Sequence, residues 1–273
     1  MKKILLFLSL IITILFSSCE EVINVDLNTA APKLVIEASI NWEKGTTGSQ
    51  QIIKLSTTTS FYSSIVPAVS GALVTVTNSS NTIFSFIENA NTGQYICSNF
   101  IPNLNEIYTL KVVINGQTYT ATETLKSVAT ITSIEQNNEG GFTGNKIEIK
   151  AVYTDPANEE NYYLYRYKYP SSTKFDYFTD EDKFFQGNVF FSSSFTDDLK
   201  QGDAINIVHY GISKNYYNYL SILLNLTGDS SGSPFQSPPS TVRGNIINQT
   251  NFDNYALGYF SLSQTDTRNY TIQ

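Results

Sequence analysis

The sequence predicts a mainly β protein: an N-terminal immunoglobulin-like β-sandwich followed by a second β-rich domain carrying one helix. Three observations carry that prediction. From Lys33 onward, apolar residues recur at every second position, the period of a strand with one buried face. The apolar complement is rich in Ile, Val, Leu, Tyr and Phe, with many Thr and Ser beside them, which suits strands. One segment, near 213–227, shifts to helical spacing.

The first sandwich is placed at 33–126. In KLVIEASINW, Leu34, Ile36, Ala38, Ile40 and Trp42 share one face, and Glu37, Ser39 and Asn41 share the other. GALVTVTNSS, NTIFSFIENA and GQYICS supply further short strands. In IYTLKVVINGQTYTATETL, Tyr108, Leu110, Val112 and Ile114 alternate, Asn115-Gly116 turns the chain, and Tyr119 and Ala121 return on the same face. Asn-Gly matches the twist of a two-residue hairpin. About seven strands in this stretch suggest two packed sheets.

Residues 127–144 turn polar and then Gly-rich, so a linker is placed there, with a linking strand near Ala129 to Glu135. The second domain, 145–273, restarts with Ile147, Ile149, Ala151 and Tyr153 in alternation. NYYLYRYKYP then sets Tyr163, Tyr165, Tyr167 and Tyr169 on one face. Such a ladder either stacks flat ligands or packs as a half-buried strand whose hydroxyls reach polar partners, and the packed reading is favoured. In SKNYYNYLSILLNLTG, Ser213 is placed as N-cap and Gly228 as the stop. Tyr216, Leu220, Leu223 and Leu224 fall on one face, and Ile212 and Tyr217 are spaced for a hydrophobic staple. A loop rich in Gly, Ser and Pro follows, holding Phe235, before NYALGYFSLSQ resumes strand character.

The N-terminus reads as a secretory signal over 1–18. Lys2 and Lys3 precede the apolar run Ile4 to Phe16, which is too short for an ordinary spanning helix. Phe16-Ser17-Ser18-Cys19 resembles a bacterial lipobox, which implies cleavage before Cys19 and acylation of its sulfur and new amino group. One acyl chain binds a membrane reversibly, whereas two or more hold firmly. Residues 19–32 then form a tether. Glu20 and Glu21 resemble the export signals that carry lipoproteins to the cell surface.

The chain has a net charge of −7, which becomes −9 once the two lysines of residues 1–18 are removed. That acidity argues against nucleic acid and against electrostatic adhesion to anionic lipid. With Cys19 lipidated, Cys97 has no partner for a disulfide, and it is read as a small buried apolar residue.

Catalytic equipment is sparse. His209, the one histidine, lies in a strand-like run and is read as structural. One histidine and one core cysteine disfavour zinc, and no phosphate-binding glycine motif is present, so no cofactor and no metal are expected. Acids cluster at Asp155, Glu159 and Glu160, and again at Asp176, Asp180, Glu181 and Asp182. Either set could offer oxygen ligands to calcium, but neither has the spacing of an EF-hand loop, so both are read as solvated loop acids.

YTDPANEENYYLYRY, FTDEDKFFQGN, GDAINIVHYGISKNYYNYL, SPFQSPPSTVRGNI with ALGYFS, and the early SCEEVINVDLNTAAPKLVIEASI resemble, in order, the motifs of domain-of-unknown-function family 4249. That resemblance implies an outer-membrane lipoprotein of the Bacteroidota cell envelope, often encoded beside a TonB-dependent transporter. It carries over no catalytic residue, and its one transferable site is Cys19. The leading expectation is a lipid-anchored, non-enzymatic partner of such a transporter in ligand capture or uptake, its ligand unknown. The alternative is an independent glycan- or ligand-binding module using Tyr163, Tyr165, Tyr167 or Phe235. A carboxylate-dependent hydrolase is the third reading, and it needs two acids facing each other across a cleft.

Overall fold

Alternation of apolar and polar residues builds the first sandwich from seven strands: β1 (Leu34–Glu43), β2 (Gln51–Thr57), β3 (Leu73–Asn78), β4 (Ile83–Asn89), β5 (Gln94–Cys97), β6 (Ile107–Ile114) and β7 (Gln117–Thr124). The computed structural model describes residues 31–60, 63–141, 143–196, 199–227 and 242–273. One sheet runs β1-β2-β5-β4 and the facing one β3-β6-β7, with β4 also pairing β3. This is the immunoglobulin order ABED over CFG. The inward faces supply one core, including Ile36, Ala38 and Ile40 of β1 and Leu110, Val112 and Ile114 of β6. Asn115 and Gly116 both take positive φ, 49° and 72°, as a two-residue hairpin of this twist requires. Tyr108, near the start of β6, accepts a hydrogen bond from the Asn103 N–H at 2.9 Å. Its hydroxyl lies 3.0 Å from the Ile101 carbonyl, to which it donates, forming the tyrosine corner of such sandwiches.

The second sandwich is built alike, with its fourth strand moved to the opposite sheet. Strands β8 (Ile131–Gly140), β9 (Lys146–Thr154) and β12 (Val189–Thr196) make a sheet in the order β12-β9-β8. Facing it are β11 (Phe175–Glu181), β10 (Tyr162–Lys168), β13 (Ala204–Ile212) and β15 (Leu257–Thr271), in that order. Helix α1 (Lys214–Thr227) follows β13, and the two-residue β14 (Ile247–Asn248) pairs with β7. Ser213 caps α1, its Oγ accepting the Tyr216 N–H at 3.1 Å. The expected stop at Gly228 lies outside the described residues. Among the described residues, no helix is long and apolar enough to cross a membrane.

The division into consecutive domains at 127–144 requires correction. Strand β15 pairs in parallel with β1 from Val35↔Leu257 to Glu43↔Thr265, then antiparallel with β13 from Thr265 to Thr271. One twelve-stranded sheet therefore runs through both sandwiches, and Pro32–Gln273 form one compact unit. Phe260 and Leu262 of β15 pack in the first core, and Ile272 in the second. Gly258 makes the seam close: at φ 96° a Cβ there would lie 2.1 Å from the Ile36 carbonyl oxygen. The expected linker is also fastened. Gln264 N–H donates to the Lys126 carbonyl at 2.8 Å, and Ile131 N–H to the Asp266 carboxylate at 2.7 Å. Residues 131–140 of that linker are strand β8.

Candidate functional site

The tyrosine ladder lies inside the second core. Tyr163, Tyr165, Tyr167 and Tyr169 are at most 2 % exposed. Strand β10 lies between β11 and β13, and the rings point at the β12-β9-β8 sheet. Each hydroxyl is engaged there. Tyr165 pairs with the Tyr153 hydroxyl at 2.6 Å. Tyr163 donates to Asp155 at 2.5 Å. Tyr167 meets Ser192 Oγ at 2.6 Å, and Tyr169 donates to Ser194 Oγ at 2.5 Å. Burial pushes all four phenols up, Tyr169 to about 12. Ligand contact by Tyr163, Tyr165 and Tyr167 is thereby corrected: no ring face is open to a ligand. The other candidate contact, Phe235, and the lipidation site Cys19 lie outside the described residues.

His209 of β13 is buried against three of these rings, with centroids 4.6 Å from Tyr153, 4.7 Å from Tyr163 and 4.9 Å from Tyr165. Neither ring nitrogen makes a hydrogen bond of ordinary geometry. Burial, opposed by a looser approach to the Ala129 backbone, holds its pKa down to about 3. It is therefore a neutral aromatic plate near pH 7 and does not take up a second ring proton there.

Two of the acids expected in solvated loops are buried. Asp155 accepts from Tyr163 and from the Gly187 N–H at 3.0 Å, and desolvation raises its pKa against those bonds. Asp182 accepts the Asn161 N–H at 2.8 Å and starts a 3-10 turn, Asp182–Phe184, that follows β11. The stretch read as a loop is thus a strand and a turn. Its alternation is hidden because β11 carries Phe and acids on both faces. Among the described residues, no group of three or more His, Cys, Asp or Glu side chains gathers as a metal site.

A polar cleft of about 400 Å³ opens where the sandwiches meet. The first contributes Glu123 at the end of β7 and Lys126 beyond it. The second contributes Glu159, Glu160 and the start of α1 at Lys214. Glu123 is the buried member. One carboxylate oxygen accepts the Thr124 N–H at 2.9 Å. The other accepts the Ser213 hydroxyl at 2.8 Å and the Tyr259 hydroxyl at 3.2 Å. Glu160 pairs with Lys214 at 3.7 Å at the exposed rim. The cleft can thus hold a polar group, but its inner carboxylate is already engaged as a clamp between β7, α1 and β15. Glu123 is not among the acids that the sequence singles out, although Tyr119, Ala121 and Glu123 share one register. An acid in line with buried residues is the signal that could have found it.

Two fused sandwiches of immunoglobulin strand order, joined through one sheet, define the class. The family described as Domain of unknown function (DUF4249) matches residues 20–269, and the chain belongs to that family. Among curated proteins there is no match. Among solved structures, a two fibronectin type-III domain segment from chicken tenascin is similar at 13% identity and a TM-score of 0.22, covering 66% of this chain and 90% of that one. The FN1-FN3 domains of chicken CNTN1 are similar at 11% identity and TM-score 0.26, covering 66% of this chain and 63% of that one. A DUF4785 family protein from Legionella pneumophila is similar at 8% identity and TM-score 0.25, covering 68% and 54%. At such scores the fold assignment rests on the strand order itself.

Proposed function

We propose that the protein is a lipid-anchored, non-enzymatic accessory subunit of the outer membrane, working beside a TonB-dependent transporter in ligand capture or uptake. The anchor is Cys19, in the setting Phe16-Ser17-Ser18-Cys19-Glu20-Glu21. The observation that carries the non-enzymatic reading is how its reactive side chains are used. His209 is packed between tyrosine rings, Asp155 is bound by Tyr163 and Gly187, and Glu123 is bound by Ser213, Tyr259 and Thr124. Groups that could move protons fasten strands instead. Family membership supports the transporter as partner through the resemblance given above.

The test is isolation from membranes solubilised in mild detergent, at native expression. A TonB-dependent transporter recovered in stoichiometric amount supports the proposal, and recovery of this protein alone overturns the partnership. Cys19→Ser separates the anchor from the partnership: the variant should leave the membrane fraction, and its retention there refutes the lipid anchor. Protease treatment of intact cells reads which face the protein occupies.

A further inference from the structure

Strand β10 has a second face. The alternation that buries Tyr165 and Tyr167 turns Arg166 to the opposite side of the sheet, in register with Tyr177 of β11 and Val208 of β13. There the guanidinium lies over the Phe175 ring at 4.7 Å and within 6.0 Å of the Tyr210 ring. Its Nε is buried and has no hydrogen-bond partner. The ion pairs of the described residues join Lys54 to Glu37, Lys150 to Glu148, Lys214 to Glu160 and Arg268 to Asp266, and none involves Arg166. The residue as a whole is half-buried, so that one nitrogen is enclosed while the rest of the guanidinium fork is left to meet an anion. Aromatic faces compensate only part of the cost of enclosing that nitrogen.

Beside Arg166 lies a hollow of about 160 Å³. At about 30 Å³ per water it has the room of about five waters, which suits one small molecule or one end of a larger one. Its polar side is the seam between the sandwiches. Ser39 and Asn41 of β1 stand in register with Ser261 and Ser263 of β15. Tyr210 and Tyr216 wall the hollow from β13 and from the first turn of α1. No carboxylate lines it among the described residues. Glu43, further along β1, acts on Tyr210 only through space. The hollow therefore offers one planar fork of donors, several hydroxyl and amide groups, and ring faces. A guanidinium matches a carboxylate in bidentate geometry. Neutral hydroxyls match hydroxyls, and one cation on an acidic protein suits a monoanion better than a dianion.

We propose that this hollow is a binding site for a small hydroxylated carboxylate, its carboxylate on Arg166 and its hydroxyls on Ser39, Asn41, Ser261 and Ser263. The ligand is either a free sugar acid or the uronate end of an acidic glycan. The site stands whether or not the chain works beside a transporter.

Titration calorimetry of the full chain in detergent tests it. The probes are D-glucuronate, D-glucose, acetate and inorganic phosphate. Glucuronate should bind saturably, with glucose and acetate each weaker by about tenfold or more, because each lacks one half of the recognition. Arg166→Gln should weaken glucuronate by about tenfold or more. Ser39→Trp, a change at the exposed rim, should occlude the hollow and abolish binding while leaving Arg166 in place. Thermal melting of both variants verifies folding, and Ser39→Trp decides the matter where Arg166→Gln fails to fold. Absence of saturable glucuronate binding overturns the proposal. So does equal affinity in folded variants, or phosphate binding more tightly than glucuronate. A disaccharide ending in glucuronate that matches the free acid identifies a glycan end, and one that binds more weakly identifies the free acid.

Discussion

The two sandwiches place their fourth strand on opposite sheets, β4 beside β5 and β11 beside β10, and they also treat their tyrosines differently. In the first, Tyr95 and Tyr108 send their hydroxyls to the rim of the core, where loop backbone receives them, with the Glu106 carboxylate also 3.2 Å from Tyr108 and the Asn254 amide 3.3 Å from the Tyr119 hydroxyl. Tyr95 bridges the Ala72 N–H and the Val69 carbonyl, each at 3.0 Å, and Tyr108 bridges Asn103 and Ile101. In the second, the hydroxyls meet side chains inside the core: Tyr153 with Tyr165, Tyr163 with Asp155, Tyr167 with Ser192 and Tyr169 with Ser194. Backbone partners are fixed by the fold and tolerate neighbouring substitutions. Side-chain partners satisfy one another, so losing one strands another in a low dielectric. The first core should therefore respond to lost volume and the second to lost volume and lost partners alike.

The largest effects test that difference. Tyr165→Ala and Phe100→Ala remove fully buried rings from the second and first cores, and each should cost about 3–5 kcal/mol in chemical denaturation. The discriminating variant is Tyr165→Phe. It keeps the ring but leaves the Tyr153 hydroxyl unpaired, and should cost about 1–3 kcal/mol. A neutral Tyr165→Phe would mean that the hydroxyl pair contributes nothing and that the two cores are alike.

His209 gives the second core a pH dependence of its own, in a higher pH range than the lowered carboxyls Glu88 and Glu106 of the first sandwich. Its folded pKa of about 3 lies below the ordinary value of 6.5. Between those values the unfolded chain binds the proton and the folded one does not, so stability is complete above 6.5 and declines as pH falls. The slope approaches ~1.4 kcal/mol per pH unit, which amounts to about 2–3 kcal/mol between pH 7.5 and 4.5. Asp155 and Asp180, whose pKa values burial raises, work in the opposite direction, gaining stability as pH falls. Comparison with His209→Phe cancels their part. The variant should keep its place among the rings and flatten the acid loss, and equal slopes in the two proteins would refute the assignment.

The sequence made local order legible and long-range pairing illegible. The hairpin at Asn115-Gly116, the alternation of β1 and the N-cap at Ser213 appear where their residues place them, because each is settled within a few positions of chain. Strand β2 is harder to read, because its alternation rests on Ile53 and Leu55 alone before serines and threonines follow. The β1–β15 seam joins residues more than 200 positions apart, and no local pattern encodes a partner. Tyrosine alternation likewise names a face without saying whether protein or solvent covers it. Here β12 and β9 cover it, and the opposite face, with Arg166, holds the open hollow. The remaining site residues, Cys19 and Phe235, rest on the sequence reading.

A smaller effect tests the rim bonds of the first core. Tyr108→Phe keeps the ring against Phe100, at 5.3 Å between centroids, and removes the hydroxyl from the Asn103 N–H and the Ile101 carbonyl. Losing a hydroxyl shared between that backbone and the Glu106 carboxylate, 3.2 Å away at the rim, should cost about 1–2 kcal/mol. Hydrogen exchange at Asn103 should quicken while amides of β10 stay as protected as before. Equal loss of protection in both sandwiches would show that the corner is part of a single network with the tyrosine ladder.

The smallest effect falls at the joint. Ser213 caps α1 through its acceptor and clamps Glu123 through its donor, so one hydroxyl serves a local bond and a bond between sandwiches. Ser213→Ala should cost about 1 kcal/mol as a lost cap, with a further contribution if Glu123 is left short of a donor. Glu123→Ala removes the acceptor that Ser213 and Tyr259 share. The double-mutant cycle separates the two bonds. Coupling near zero assigns Ser213 to the helix alone. Coupling of about 0.5 kcal/mol or more makes Ser213 and Glu123 a fastener between the two sandwiches.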